Sequence, residues 1–259
     1  MDSKSNISDC KLSASIITFN EEKNIERCLI SLQGIVDEVV VVDSYSTDKT
    51  EQICSKYGVR FIKNEFKGHV EQKNFAVSQC THNYILALDA DEALSETLRN
   101  SILKVKANWS ADVYIFNRLT YFCGKPIRHG AWFPDPSLRL WDRRCGAWGG
   151  DNPHDKFIPV KSASKKFLDG LLDHYSYHTI EEYVVQINKF STISAHSKFK
   201  KGKKSSLFKV LVYPRWRFFR DYFIKLGILD GWYGYVVCKS CAYEVFLKYQ
   251  KLMMLQNKQ

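Results

Sequence analysis

Two aspartates two residues apart, Asp89 and Asp91, close the apolar run Ile85-Leu86-Ala87-Leu88. The run reads as a buried strand, so both carboxylates stand at a strand's end. There they repel each other and lose hydration unless a cation sits between them. A hard divalent ion with oxygen ligands, Mg²⁺ or Mn²⁺, matches the pair and would bridge it to phosphate oxygens. The spacing alone also suits a solvated turn with a helix cap. Behind a series of alternating strands and helices it points much more strongly to a cation.

Such a series precedes it. Leu12–Phe19 reads as a buried strand, with Asn20 placed to cap a helix and Glu21 and Glu22 in its first turn. Ile35–Asp43 is a second strand. Asp48 and Glu51 have capping-box spacing for a helix reaching about Lys56. Val59–Lys63 is a third strand, His69–Gln79 a helix and Tyr84–Asp89 a fourth strand, followed by a helix with Leu94, Leu98, Ile102 and Val105 on one face. Continuous apolar strands alternating with helices predict an α/β fold with a parallel sheet covered on both faces. Ligands of such sheets bind beyond the C-terminal strand ends, which selects Asn20-Glu21-Glu22, Asp43-Ser44 and Asp89-Ala90-Asp91-Glu92. No G-x-G-x-x-G follows the first strand and no G-x-x-x-x-G-K-[ST] occurs, which argues against a dinucleotide dehydrogenase and a P-loop enzyme.

Beyond residue 110 the period changes. Asp112–Arg118 alternates like a strand, residues 129–160 read as loops and short strands over a site, and from Ile180 the pattern is helical, with a last helix from about Trp232 to Leu255. The expected organisation is a catalytic domain over residues 1–178 and a helical, basic extension over residues 179–259. The eight cysteines lack the spacing of a disulfide or zinc framework, and Cys238-x-x-Cys241 sits in an apolar helical pattern that indicates packing. Met1–Ser15 is polar and no run approaches the ~18 apolar residues of a membrane span, so a cytoplasmic protein is expected.

Ser15-Ile16-Ile17-Thr18-Phe19-Asn20-Glu21-Glu22, then Val42-Asp43-Ser44-Tyr45-Ser46-Thr47-Asp48-Lys49-Thr50, then Asp89-Ala90-Asp91 resemble the ordered signature of family 2 glycosyltransferases with the GT-A fold, a Rossmann-like, mostly parallel sheet flanked by helices. The resemblance implies a UDP-sugar donor whose site includes Phe19, Asn20, Glu21, Asp43, Ser44, Lys73, Asp89, Ala90 and Asp91. Asp43 would take the uracil, Asp89 the ribose or a metal-bound water, and Asp91 the metal, with His174 closing the metal shell. Gln72-Lys73-Asn74 is similar to the family's basic segment along the nucleotide. Phe133–Leu140, Pro153-His154-Asp155, His174–Tyr177 and Gly227–Trp232 resemble the bacterial lipopolysaccharide core β-glucosyltransferases, which implies glucose as the sugar and a lipid-linked saccharide as acceptor. One position departs: that subfamily usually has Val-His-Glu where this chain has Pro153-His154-Asp155.

Sugar transfer needs negative charge stabilised on the leaving diphosphate and a deprotonated acceptor hydroxyl in line behind the anomeric carbon. Asp155, in the loop-rich segment, is the candidate general base, with a salt bridge to Lys156 or Arg139 as the alternative. Arg139 is the candidate partner of the diphosphate, or else an arginine packed over Trp141. Trp132, Trp141 and Trp148 are expected in packing rather than under a sugar.

The net charge of +10 is concentrated: residues 198–225 carry ten basic side chains and one acid, Asp221. Interleaved with Trp, Phe and Tyr, these cations suit an anionic membrane surface, which places the protein peripherally on the cytosolic face of the inner membrane. The same composition would serve a nucleic-acid-binding protein, but no RNA-recognition motif is present. A catalytically inactive nucleotide-sugar-binding scaffold is the other alternative.

Overall fold

The structure is a computed structural model and describes residues 10–150 and 155–257. The first nine residues of the polar stretch Met1–Ser15, and Pro153 and His154, lie outside the described residues. In chain order the elements are β1 (Leu12–Thr18), α1 (Ile25–Leu32), β2 (Glu38–Asp43), α2 (Thr50–Ser55), β3 (Arg60–Lys63), α3 (His69–Gln79), β4 (Tyr84–Asp89), β5 (Glu92–Leu94), α4 (Glu96–Ala107) and β6 (Val113–Phe122). They continue with β7 (Lys125–Pro126), β8 (Pro136–Asp142), β9 (Gly146–Gly149), β10 (Lys156–Pro159), β11 (Lys165–Tyr177), α5 (Ile180–Lys200), α6 (Leu207–Phe219) and α7 (Gly231–Gln256). Two compact units form. One holds the chain up to Arg118 with Pro136–His174, and the other holds Leu119–Asp135 with Tyr175–Gln259.

The first unit carries the predicted α/β core. Its sheet runs β3-β2-β1-β4-β8-β6-β11-β5. The β3-β2-β1-β4 half is parallel, and β1 has six of its seven residues buried because helices cover both faces. Beyond β4 the sheet changes direction, with β8 antiparallel to both β4 and β6, and β11 antiparallel to β5. Register fixes the rim: Thr18 pairs with Asp43, Ile17 with Asp89 and Asp43 with Lys63, so the strand ends finish together. In α1, Ile25, Cys28, Leu29 and Leu32 are buried at helical spacing against this sheet. Trp141, Trp148 and Phe157 fill the opposite face, with Trp141 stacked on Phe157 at 4.2 Å.

Two local expectations yield to tertiary structure. Helix α1 starts at Ile25, not after Asn20. Asn20 adopts φ 55° and its side-chain oxygen accepts from Thr47 N at 2.8 Å. Asp48 and Glu51 do not form a capping box. Asp48 accepts from Thr50 N (2.9 Å) and from Glu22 N (3.0 Å), while Glu51 pairs with Lys63 at 2.6 Å. Both departures tie the β1–α1 loop to the β2–α2 loop.

In the second unit, α5 opens on a full capping box between Thr179 and Glu182, and α7 packs against α5 and α6. Its core gathers Phe122, Ile127, Tyr183, Ile187, Val237 and Cys241. Cys238 and Cys241 are free and buried, and burial pushes the Cys238 thiol up to about 12, as packing predicts.

Candidate active site

All the site positions named from the sequence belong to the first unit. Three consecutive residues of α3 reach three different strand ends. Gln72 donates through Nε2 to Ser44 Oγ (3.1 Å) and accepts from Asn64 Nδ2 (2.8 Å). Lys73 Nζ lies 3.0 Å from Asp89 and 2.8 Å from Asp155. Asn74 clamps the backbone of Trp148, donating to its carbonyl at 2.9 Å and accepting from its N–H at 3.1 Å. Successive helical residues point about 100° apart, so one turn of α3 braces the β2 rim, the acidic cluster and β9 together.

The acidic cluster is dense. Arg139 Nη2 donates to Asp89 Oδ2 at 2.9 Å and to Glu92 Oε1 at 2.7 Å. Glu92, with a fully buried side chain, also accepts from Asp89 N (3.0 Å) and faces Arg118 at 3.4 Å. His174 pairs with Glu92 in the β5–β11 register, which brings its Nε2 to 3.1 Å from Asp91 Oδ2. Burial pushes the Asp89 carboxyl up, but the charges of Lys73 and Arg139 outweigh it and hold it well below the usual carboxylate range. Burial likewise opposes ionisation of Asp91, and His174 more than offsets it. Four carboxylates (Asp89, Asp91, Glu92 and Asp155) thus face three basic side chains (Lys73, Arg118 and Arg139) and one histidine.

Whether a divalent cation fits can be tested on that balance. Asp91 and His174 supply an oxygen and a nitrogen at the separation that adjacent ligands have around a cation at about 2.1 Å, roughly 3 Å. Asp89 is already charge-compensated by Lys73 and Arg139, which leaves Asp91 as the carboxylate open to the ion. Among the described residues no group of three His, Cys, Asp or Glu side chains is arranged to enclose a metal. The donor set therefore fits a cation shared with a phosphate ligand and water, the usual habit of Mg²⁺, and not an all-protein cage.

Two buried donors in the same cluster have no acceptor among the described residues, Arg139 Nη1 and Trp148 Nε1. The Arg139 side chain is only 6% exposed. A buried donor without an acceptor costs stability, so this guanidinium edge suits an incoming anion. Trp148 lies beneath both cations, with Lys73 Nζ 4.5 Å and the Arg139 guanidinium 5.5 Å from its ring.

The nucleotide positions occupy the adjoining rim. Asp43 is fully buried, and its two oxygens accept from Ser46 N (2.8 Å) and Ser46 Oγ (2.5 Å). It shapes the Ser44–Thr47 turn, in which Tyr45 takes φ 62° and stands 58% exposed. Phe19, 56% exposed, is another open aromatic of this rim. Glu21 donates its N–H to Thr50 Oγ1 (2.9 Å) and accepts from Asn24 Nδ2 (2.8 Å). Ala90 is buried between the two aspartates of the motif.

Glu21 provides a pH prediction. Burial pushes its carboxyl up to about 7 against the Asn24 hydrogen bond, with Asp91, Asp48 and Asp89 adding to the rise. The folded state therefore holds this proton more tightly than the unfolded chain does. Its contribution is full below about pH 4.5 and is lost as pH rises through about 7. Glu21→Gln is expected to raise unfolding stability near pH 8 by about 1–3 kcal/mol and to change it little near pH 4, as read by urea unfolding without divalent cations.

Sequence reasoning set Glu92 on the strand-end rim but gave it no role; the structure has it orienting Arg139 from inside the core. One pairing was missed altogether. The Lys73–Asp155 pair spans 82 positions and leaves no local pattern. Among the described residues Asp155 forms its salt bridge with Lys73, at 2.8 Å, and not with Lys156 or Arg139. Trp141 and Trp148 are buried in the core as expected.

Residues 13–171 match the family described as Glycosyl transferase family 2. The chain is 35% identical over 254 residues to an uncharacterized glycosyltransferase of Rickettsia felis, covering 93% of this chain and 89% of that protein. It is 29% identical over 248 residues to the lipopolysaccharide core biosynthesis glycosyltransferase LpsC of Rhizobium meliloti, covering 93% and 91% respectively. Among solved structures it is similar to S. aureus TarS 1-349, over 96% of this chain and 92% of that one, with 16% identity and a TM-score of 0.47.

Proposed function

The chain belongs to glycosyltransferase family 2 and is a glycosyltransferase, and on that premise we propose that it moves a sugar, glucose in the first instance, from a UDP-sugar to a lipopolysaccharide core or related lipid-linked saccharide, with inversion and with a divalent cation. The observation that carries this reading is the buried Arg139 guanidinium, one nitrogen committed to Asp89 and Glu92 and the other without an acceptor, beside Asp91 and His174.

The residues divide the work. Phe19, Asn20, Glu21, Asp43 and Ser44 form the rim that receives the uridine. Asp43 acts through the turn it holds, with lone pairs left on both oxygens. Asp91 and His174 would hold Mg²⁺ or Mn²⁺, which would supply Lewis-acid stabilisation of the leaving diphosphate. Arg139 turns its uncommitted edge to the same diphosphate. Asp155 takes the proton of the acceptor hydroxyl as that oxygen bonds to the anomeric carbon. The bond to the diphosphate breaks on the opposite side, and its electron pair leaves with the phosphate oxygen. One displacement inverts an α-linked donor to a β product without a covalent enzyme intermediate. Lys73 fixes Asp155 and Asp89 relative to each other.

The relative LpsC, named for lipopolysaccharide core biosynthesis, supports the acceptor class. None of the described helices is long and apolar enough to cross a membrane. The cationic segment 198–225, interleaved with aromatic side chains, is what supports peripheral attachment to the cytosolic face of the inner membrane. The test is a donor screen measuring UDP release with Mn²⁺ and a lipopolysaccharide-core acceptor. UDP-glucose is expected to give acceptor-dependent release that is lost with a chelator. Absence of acceptor-dependent release from every UDP-sugar, with UDP still binding, would reduce the protein to a nucleotide-sugar-binding scaffold.

A further inference from the structure

Helix α6 is amphipathic the wrong way round for a helix whose apolar side serves a protein core. Val210 is its one buried residue. At about 100° per residue, Phe208, Val212 and Phe219 lie roughly opposite Val210, with Leu211 and Trp216 beside them. That outer side is the apolar one: Phe208 is 64% exposed, Trp216 53% and Phe219 48%. The exposed apolar surface continues past the helix, through the π-helical turn Arg220–Ile224 and the 3₁₀ turn Gly227–Asp230, to Trp232 at the start of α7. So many large apolar side chains exposed in one stretch mark an interaction surface.

Its charge identifies the partner. The one acid among residues 198–225, Asp221, is fully buried, and its carboxylate is taken up by Arg217 and by Arg220, whose Nη2 lies 2.7 Å away. The exposed part of the segment therefore presents cations and no anion. Lys198, Lys200, Lys201, Lys203 and Lys204 line the end of α5 and the loop into α6, and Arg215 stands within the apolar face, donating to Leu211 O. A second copy of this chain would bring the same cations face to face, which disfavours a symmetric dimer through this surface. An anionic bilayer satisfies both halves at once, with lipid phosphates for the lysines and the acyl boundary for the rings.

We infer that α6 and the turns after it form a monotopic membrane-docking face, with Phe208, Leu211, Trp216 and Phe219 sunk into the headgroup–acyl boundary of an anionic phospholipid bilayer. The lysines of residues 198–204 draw the face to the surface, and the rings hold it there. Arg215 lays its aliphatic stem among the rings and carries its charge outward to a phosphate. This deepens the proposed lipid-linked acceptor and rests on it for its purpose. The attachment is specified by side chains rather than by net charge alone.

The test uses the full chain and sedimentation with vesicles of phosphatidylcholine alone or with one quarter phosphatidylglycerol. Binding is expected only to the anionic vesicles. Phe208→Ser/Phe219→Ser is expected to lower it about ten-fold or more at every salt concentration. Lys200→Gln/Lys201→Gln/Lys203→Gln/Lys204→Gln is expected to lower it by a similar factor and to flatten the salt dependence. Both variants should bind UDP as the wild type does, which shows that they are folded. Wild-type protein that stays in the supernatant, or a serine variant that sediments like wild type, overturns the docking face. So does a wild-type dimer that the serine variant converts to monomer, or RNA retention that the serine variant keeps. Vesicle binding by a protein that binds no UDP would leave the docking face standing and overturn the proposed function instead.

Discussion

Asp91→Ala is expected to lower sugar transfer from the nucleotide donor by about 10³-fold, the rate equivalent of roughly 4 kcal/mol of lost charge stabilisation on the leaving diphosphate. Asp91 is the carboxylate of the cluster left to a cation, because Asp89 is already paired with Lys73 and Arg139. Its replacement also removes a partner of His174, so a purely structural role has to be separated from a catalytic one. The separation lies in the metal dependence. Wild-type turnover should titrate with Mn²⁺ or Mg²⁺, whereas residual turnover of the variant should be flat in metal. Thermal stability measured without metal should change far less than the rate. A variant that keeps full turnover at saturating Mn²⁺ would remove Asp91 from the mechanism and leave the Asp91–His174 pair a fold contact.

Much of this site was legible because parallel strands turn sequence order into geometry. Once β1, β2 and β4 are recognised as buried apolar runs, the residues after them share one rim, and the acids at 43, 89 and 91 are selected without knowing any distance. Hydrophobic pattern also located α3 and β4 to the residue. Reasoning from local propensity failed where a loop residue had a better distant partner. Asn20 and Asp48 both carry helix-capping chemistry, yet Asn20 spends it across the gap between two loops and Asp48 divides it between Thr50 and Glu22 across that gap. Nor does apolar alternation reveal which edge a strand joins, so the antiparallel addition of β8 and the arrival of β11 beside β5 came only with the structure. That second pairing is what brings His174 to Asp91. The resemblance named both residues, but no spacing in the chain could have placed them 3.1 Å apart.

Asp155→Asn is expected to lower kcat for transfer by about 10²- to 10⁴-fold, the range that loss of a positioned general base produces, with UDP affinity nearly unchanged. The rival reading follows from the same geometry: Asp155 lies 2.8 Å from Lys73, which also holds Asp89, so its carboxylate could serve only to balance that lysine. The two roles separate in what else changes. A charge-balancing Asp155 would, on neutralisation, leave Lys73 free to bind the donor's diphosphate more strongly, raising UDP affinity while kcat fell little. A base would lose turnover without altering the empty nucleotide site. Asp155→Glu sharpens the distinction, because it keeps the charge and moves the proton acceptor by one methylene. Recovery of turnover to within about ten-fold of wild type, beside an inert asparagine variant, requires a carboxylate that handles a proton and tolerates the longer side chain usual at this position in the enzymes the chain resembles. Equal failure of both variants with UDP binding intact would mean that the carboxylate's exact reach matters as well as its charge. Unchanged kcat in the asparagine variant would rule out Asp155 as the base.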